Sequence, residues 1–250
     1  MPTPRLPPEL EYDIFLLAFH HDSGDAKNLV LVAKRVFDWL IPQRFHIVTL
    51  SESGSFPITF NETTYQRYGH HVRHLFIRIW RLGEYLHLFP NVVNLAYWIE
   101  YTPTHLPSLL QLPLTRLSTA PCPELFQVFS KLTHLDLTSE TELHPSNDEI
   151  ASILYLPRLT HLCVLYDIPQ SGLEMFLDKK RCPKLRVAIV WAFGGGSSVL
   201  YEHEDLEVDD DRVVMVECEP LGDWQIGASG GLDMWKFAEG VIDSRNTPSV

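Results

Sequence analysis

The sequence predicts an α/β protein, a short right-handed solenoid with a parallel sheet that follows a small all-helical segment. The solenoid is predicted by a six-residue unit, with apolar side chains at its first, fourth and sixth positions, that recurs along the chain. Successive copies begin 18 to 27 residues apart, a spacing typical of short solenoid repeats. The helical segment is predicted by the first 50 residues, which combine helix-period apolar residues with proline at a helix start.

Six copies of the unit can be aligned. They occupy residues 72–77, 92–97, 114–119, 132–137, 159–164 and 185–190. The copies that begin at Leu114 and Leu185 match the unit least closely. Each copy predicts a short strand, and because no single copy can cover its own apolar face, neighbouring copies have to stack. The pattern is that of leucine-rich repeats, and helical connections between the strands would make the sheet parallel and the solenoid right-handed.

The chain beyond the last copy predicts a strand and a covering helix. Residues 213–216 are an apolar run that favours a final strand, and a helix is expected near residues 233–243. Because the end of a solenoid exposes an apolar edge, we expect this helix, which carries Trp235, to cap that edge. The alternative is that the tail docks a partner. The predicted domains are the helical segment at 1–50, the solenoid at 51–222, and the capping helix and tail at 223–250.

The register of the repeat predicts which side chains form the open face of the sheet. Side chains alternate along a strand, so the residues that flank the inward-facing pair point outward and are expected to meet solvent. Arginine and tryptophan often carry binding energy at protein interfaces. The predicted partner-binding residues are Arg78, Trp98, Arg116, His134, Asp136 and His161. For Trp98 the alternative is that a loop covers it.

Charge and composition exclude several classes of partner. The formal net charge is −12 at pH 7, and residues 201–223 carry ten acidic residues against one arginine. Such a chain repels a phosphate backbone, so we expect no nucleic-acid binding. The longest apolar runs are too short to span a bilayer, and we expect no membrane association and a cytoplasmic or nuclear location. The four cysteines form no C-x-x-C pair and are expected to be reduced core residues.

Motifs for catalysis or metal binding are weak. Residues 227–231 match the G-x-S-x-G pattern of hydrolases, but no apolar strand precedes Ser229 and no histidine follows it. His134 and His161, with Asp136, could form a surface zinc site, because imidazole and carboxylate both bind zinc. The same histidines also fill a polar position of the repeat that asparagine or arginine fills elsewhere. We expect no catalytic residues, no bound metal and no cofactor.

The N-terminal segment carries a motif of its own. Its elements are Leu6-Pro7, Glu9-Leu10, Ile14-Phe15 and, after a polar gap, Leu31-Val32, Lys34-Arg35 and Phe37. This arrangement resembles an F-box over about 40 residues. With the repeats, the chain resembles F-box-like leucine-rich-repeat proteins of mushroom-forming (basidiomycete) fungi. The polar insertion around residues 22–27 departs from the F-box pattern.

The resemblance implies a role in ubiquitin ligation. In F-box proteins the helical segment binds the Skp-type linker of a cullin-RING ubiquitin ligase, and the C-terminal repeats recruit a protein substrate. Carried to this chain, the linker-binding residues would be Leu6, Pro7, Ile14, Val32, Lys34, Arg35 and Trp39. The alternative is that the helices only cap the solenoid of a repeat protein that binds other proteins and is not linked to ubiquitin ligation.

Overall fold

The computed structural model shows an α/β protein in which helices accompany one parallel sheet. The residues that it describes are 6–21, 26–50, 60–99, 106–120, 129–137, 150–151, 153–154, 156–165, 168–192 and 208–246. Within these ranges no helix combines the length and the apolar character needed to cross a bilayer.

Three helices form the N-terminal segment. They are α1 (Pro8–His21), α2 (Ala26–Leu29) and α3 (Lys34–Arg44). Proline stands at the start of α1, as predicted. Proline commonly ends a helix, and from the sequence Pro42 would be expected to do so, but it lies inside α3. A proline this close to a helix end removes only one backbone hydrogen bond. The helical hydrogen bonds continue past it, and the amide of Phe45 donates to the carbonyl of Ile41 over 3.1 Å.

The sheet is parallel throughout, and its strands follow one another in chain order. The strands are β1 (Ile47–Leu50), β2 (His74–Ile77), β3 (Asn94–Tyr97), β4 (Arg116–Thr119), β5 (His134–Asp136), β6 (His161–Leu165), β7 (Val187–Ala192) and β8 (Val213–Glu217). The strands predicted from the repeat and from residues 213–216 are confirmed. β1 was not predicted, although residues 45–50 fit the repeated unit, so the sheet begins inside the range assigned to the helical segment.

The register of the sheet is the register of the repeat. Equivalent residues of successive copies are direct partners in the sheet: His74, Asn94, Arg116, His134 and His161. A second repeated feature precedes three of these strands. The threonine before the strand donates its Oγ1 proton to a carbonyl of the preceding copy, over 3.2 Å at Thr115, 3.0 Å at Thr133 and 3.1 Å at Thr160.

The larger apolar core lies between one face of the sheet and the connections between strands. The described connections contain α4 (Glu62–Tyr68), 3-10 helices at Gly69–His71 and Trp80–Leu88, α5 (Leu106–Leu109) and α6 (Gln170–Leu177). Leu75, Leu95, Leu117, Leu135 and Leu162 stack along the sheet in this core, and Phe89 and Phe176 from the connections pack with them. Each strand therefore buries the apolar positions of the unit.

The other face of the sheet is covered by two C-terminal helices, α7 (Pro220–Ala228) and α8 (Met234–Asn246). The helix expected near residues 233–243 is thus confirmed. Its predicted placement as an edge cap is incomplete, because Trp235 and Ala238 pack with Cys163, Ile189 and Val214 on the sheet face and Trp235 reaches β5. The second apolar core lies between α8 and the sheet face beneath it.

Candidate functional site

The first candidate surface is the outer face of α1. Phe15 and Phe19 point inward and pack on a small core shared with α3. Apolar side chains also cover the opposite face of α1, spaced by four and three residues so that they form one stripe. These are Leu10 and Ile14, each 52% exposed, and Leu17, 71% exposed. A helix that is apolar on both faces has more apolar surface than its own fold buries.

The same surface character continues at both ends of the helical segment. Leu6 and Pro7, which precede α1, are exposed. In the turn before α3, Leu31 is 79% exposed and Val32 is 61% exposed. Of the predicted linker-binding residues, the four apolar ones other than Trp39 (Leu6, Pro7, Ile14 and Val32) are therefore accessible.

The three remaining residues that were predicted to bind the linker are on α3 and have contacts within the protein. Lys34 pairs with Asp38 at 3.0 Å, and both side chains are largely exposed. The guanidinium of Arg35 pairs with Glu11, which joins α3 to α1. Trp39 packs edge-on against Tyr12, with 5.7 Å between ring centroids. Trp39 is half-buried, so part of its ring serves the fold and only the remainder is accessible.

The second candidate is the strand face that was predicted to be open. The structure contradicts this exposure, because the C-terminal helices cover much of the face. Asp136 is 8% exposed and His161 is 4% exposed, while Trp98, Arg116 and His134 are half-buried. Their orientation away from the larger core is nevertheless as predicted. Arg78 is exposed.

Polar contacts hold the C-terminal helices to the strand face. Arg116 Nη1 donates to Asp233 Oδ2 over 3.1 Å, and Trp224 Nε1 donates to Asn94 Oδ1 over 3.3 Å. His161 Nε2 lies 3.2 Å from Glu239 Oε1. Polar strand residues that a sequence pattern assigns to solvent thus have partners on α8 and on the segments beside it.

His134 and His161 stack, as expected from their equivalent positions. Their ring centroids are 4.0 Å apart and their planes differ by 5°. Trp235 stands nearly perpendicular to both rings, at 5.3 Å from His134 and 5.7 Å from His161. Asp136, the third residue of the zinc site considered above, accepts a hydrogen bond from the hydroxyl of Ser118 over 2.7 Å. Among the side chains that the structure describes, no group of three or more histidine, cysteine or acidic residues is arranged to hold a metal ion.

A cavity of about 40 Å³ lies between the strand face and the C-terminal helices. Trp98, Arg116, His134 and Asp136, four of the predicted partner-binding residues, line it. The sequence prediction did not include the residues that line it from the C-terminal side and from β7. These residues include Trp191, Cys218, Asp223, Trp224, Asp233 and Trp235. The signal that could have indicated them is the grouping of aspartates and tryptophans within residues 223–235.

Burial changes the protonation of the groups around the cavity. Burial, the neighbouring His161 and the charge of Arg116 lower the pKa of His134 to about 2, so this ring is neutral at pH 7. Burial and the charges of Asp233, Asp136 and Glu219 raise the pKa of Asp223 to about 6, although its bond from the Met234 amide acts in the opposite direction. Burial raises the pKa of the Cys218 thiol to about 12. The cavity therefore has no cationic histidine at neutral pH.

We expect the protein to lose stability between pH 7 and pH 5. Burial, with the nearby charges of His46, Arg116 and Arg73, lowers the pKa of His74 to about 4, and that of His134 is about 2, against 6.5 for an ordinary histidine. Below pH 6.5 the unfolded chain therefore binds protons that the folded chain does not, which costs about 1.4 kcal/mol per pH unit for each histidine.

Asp223 opposes this loss, because its raised pKa lets the folded protein bind a proton between about pH 6 and pH 4 that the unfolded chain does not bind. The net loss from pH 7 to pH 5 should be about 2 kcal/mol. Urea unfolding at pH 5, 6 and 7 measures it, and His134→Asn should reduce the pH dependence. Equal stability at pH 5 and pH 7 in the unsubstituted protein would contradict the burial of these rings.

The G-x-S-x-G pattern is part of a helix end. Ser229 follows the last residue of α7, and its Oγ donates to the carbonyl of Gln225 over 2.9 Å. Gly230 has a positive φ of 83°, which suits a turn after a helix. A strained strand-to-helix turn, which places a nucleophilic serine in hydrolases, is not formed here.

Cys163 and Cys182 are buried and Cys218 is half-buried, all three as free thiols, while Cys122 lies outside the described residues. Burial, together with the charges of Asp136, Cys218 and Asp223 and a hydrogen bond with Asp136, raises the pKa of the Cys163 thiol well above its ordinary value. Such thiols are poor nucleophiles.

Two features thus stand out, an exposed apolar stripe on the N-terminal helices and a cavity rich in tryptophan and aspartate beneath the C-terminal helices. Comparison of the chain with protein-family models and with curated proteins gave no match.

Proposed function

We propose that this protein is a non-catalytic adaptor, the substrate-recruiting F-box-like subunit of a Skp/cullin-type ubiquitin ligase. The observation that carries the proposal is the apolar stripe of α1, formed by Leu10, Ile14 and Leu17, which the protein's own fold leaves exposed. Exposed apolar patches on soluble proteins often mark interaction sites. The turn with Leu31 and Val32 adds to the apolar surface of the same segment.

The free energy that a partner could gain on this segment depends on the apolar area that it covers. Burial of apolar surface contributes about 25 cal/mol per Å², so an exposed leucine or isoleucine that a partner covers completely contributes about 1.5 to 3 kcal/mol. Several such side chains on one short segment would supply a substantial part of the free energy of a specific complex. The positions Leu6, Pro7, Ile14 and Val32 are also those that the F-box resemblance assigns to the linker.

We propose further that the sheet and its connections are a leucine-rich-repeat solenoid. Strand order that follows chain order, parallel pairing and the same register at each repeat are typical of this architecture. The threonine bonds at Thr115, Thr133 and Thr160 repeat with the unit as well. In an adaptor, such a scaffold would hold the substrate at a distance from the linker-binding helices.

A second function is favoured by one observation. Phe37 in the first turn of α3 and Phe45, which follows the helix, pack against Tyr68 of α4: their ring centroids lie 6.3 Å and 5.1 Å from that of Tyr68. This packing would suit an end cap. The protein would then be a leucine-rich-repeat interaction protein that is not linked to ubiquitin ligation.

Binding of a purified Skp-type linker distinguishes the two functions. The intact protein should bind the linker, and replacement of Leu6, Pro7 and Ile14 by alanine should weaken binding by about 1 to 3 kcal/mol for each apolar anchor removed. The measurement is an affinity titration supported by a pull-down. Because the three side chains are exposed, the melting temperature should change little.

The matched control is Leu232→Ala, which removes an exposed leucine far along the chain, 68% accessible, and should leave linker affinity unchanged. If the intact protein ignores the linker, the adaptor function is contradicted and the end-cap function is favoured. Loss of binding in Leu232→Ala to the same degree would show that the effect is not specific to the helical segment.

A further inference from the structure

Four of the six tryptophans in the chain line one cavity. Trp98 follows β3 and Trp191 is on β7, whereas Trp224 is on α7 and Trp235 is on α8. Phe76 lies beneath two of them, with its ring centroid 5.1 Å from that of Trp98 and 5.6 Å from that of Trp224. Residues distant in the chain thus supply one aromatic lining.

Most of the indole N–H groups are already engaged within the protein. Trp98 Nε1 donates to Ser118 Oγ over 2.7 Å and Trp191 Nε1 donates to the carbonyl of Cys218 over 3.1 Å. Trp224 Nε1 donates to Asn94 Oδ1 over 3.3 Å. The indole donors of these three side chains are therefore occupied, and the ring surface that remains accessible to a ligand belongs to the half-buried Trp98 and Trp224. Ring faces are electron-rich and attract cations.

The charged side chains of the cavity are predominantly acidic. Among the described residues, Asp136, Asp223 and Asp233 line it together with one arginine, Arg116. Arg116 pairs with Asp233 at 3.1 Å. Asp223 Oδ1 accepts the amide of Met234 over 2.8 Å, and the described part of the chain shows no ion pair to its carboxylate. His134, neutral at pH 7, does not offset the acidic charge.

We propose that this cavity binds an organic cation, a guanidinium or N-methylated ammonium headgroup, between its tryptophan rings and the carboxylates of Asp136 and Asp223. Aromatic rings with neighbouring carboxylates are the chemistry that recognises such headgroups. Desolvated cation–aromatic contacts are stronger than exposed ones. Trp98, Trp224 and Asp223 are half-buried, which provides that setting.

The size of the cavity is of the order of a small headgroup. The volume of about 40 Å³ is enough for about three water molecules, since a cavity needs about 10 to 15 Å³ to hold one water. A guanidinium or trimethylammonium group has four non-hydrogen atoms and is of this order. The inference goes beyond the adaptor function and does not depend on binding of a linker.

The first test uses the unsubstituted protein alone. Tetramethylammonium chloride should quench or shift tryptophan fluorescence with a saturable dependence on concentration. Sodium chloride at equal ionic strength and tert-butanol, a neutral group of similar shape, should not. Equal responses to tetramethylammonium and tert-butanol, or no saturation, would overturn the proposal, whatever the outcome with the linker.

The source of the cation is distinguished by a second arm of the same experiment. A short peptide with one trimethyl-lysine is titrated beside free tetramethylammonium. Tighter binding of the peptide, by about tenfold or more, assigns the cavity to a side chain of a recruited protein; this factor corresponds to about 1.4 kcal/mol of added contacts. Equal affinity assigns it to a free small molecule. Both results support a cation site.

Substitution then locates the site. Asp223→Asn keeps the shape and the acceptor for Met234 but removes the charge, and should weaken tetramethylammonium binding about tenfold, as the loss of about 1.4 kcal/mol would. Asp209→Asn, which removes an exposed carboxylate outside the cavity, is the matched control and should bind as the unsubstituted protein does. Trp98→Leu gives an independent variant should Asp223→Asn not fold. Unchanged binding in the variant that folds would overturn the proposal.

Discussion

Leu135→Ala and Leu162→Ala should each lower the free energy of unfolding by about 2 to 5 kcal/mol. Both side chains are fully buried, and the two residues are direct partners in the register between β5 and β6. They lie in the larger core, where leucines of neighbouring repeats stack on one another. Truncation removes apolar contacts and leaves a cavity that the surrounding strands can close only in part.

Urea or guanidinium unfolding of the two variants measures the effect. Leu232→Ala is the control, because that leucine is 68% exposed and its truncation should change stability by no more than about 0.5 kcal/mol. A large effect of Leu232→Ala with little effect of Leu135→Ala would contradict the packing described. Since a shift of one residue moves every strand side chain to the other face, the comparison also tests the register.

The strands were predictable because their signal is local and repeated. The unit fixes which residues of each strand share a face, and the structure aligns His134 with His161 and Leu135 with Leu162 as that unit requires. The same signal was present before β1, where Phe45, Val48 and Leu50 occupy its three apolar positions. That strand was missed because the helical motif before it was extended to residue 50.

The covering of the strand face was not predictable from the same local pattern. A polar residue in a strand indicates a solvent-facing position, and Asp136 and His161 were interpreted in this way. Their burial depends on α7 and α8, which are 59 residues or more away in the chain from His161 and are brought there by the tertiary fold. Hydrogen-bond partners, among them Glu239 for His161 and Ser118 for Asp136, offset the cost of this burial.

The composition of the covering helices contained the missing information. Trp235 and Ala238 are buried on the inner side of α8, whereas Lys236 and Phe237 are exposed. An amphipathic helix with tryptophan on its inner side needs an apolar surface to pack on. The edge of β8 was the surface that the sequence suggested. The sheet face provides a larger apolar surface than this edge, because Val187, Ile189 and Trp191 lie on it and are buried by the helix.

Asp233→Ala should lower the free energy of unfolding by about 2 to 4 kcal/mol, although the residue is in a loop. Asp233 is 3% exposed and its carboxylate has two functions. Oδ1 accepts the amide of Lys236 over 3.0 Å at the start of α8, and Oδ2 accepts from Arg116 over 3.1 Å. Loss of a helix cap costs about 0.5 to 2 kcal/mol.

The remainder of the expected effect comes from Arg116, whose charge would be left half-buried without Asp233. Removal of one member of a fully buried ion pair costs about 3 to 5 kcal/mol, and the partial exposure of Arg116 reduces this figure. Asp233→Asn, which keeps a cap acceptor but not the charge, should show a smaller loss than Asp233→Ala. The double variant with Arg116→Leu should recover part of the stability, because no cation is then left without its partner.

Two readouts separate global unfolding from release of the C-terminal helices. Urea unfolding followed by circular dichroism reports on the whole fold, whereas four of the six tryptophans that give the fluorescence signal lie between the strand face and the C-terminal helices. If Asp233→Ala acts mainly on the helices, the fluorescence transition should come at lower urea than the circular dichroism transition. An Asp233→Ala protein as stable as the unsubstituted one in both signals would contradict the role of this residue in joining α8 to β4.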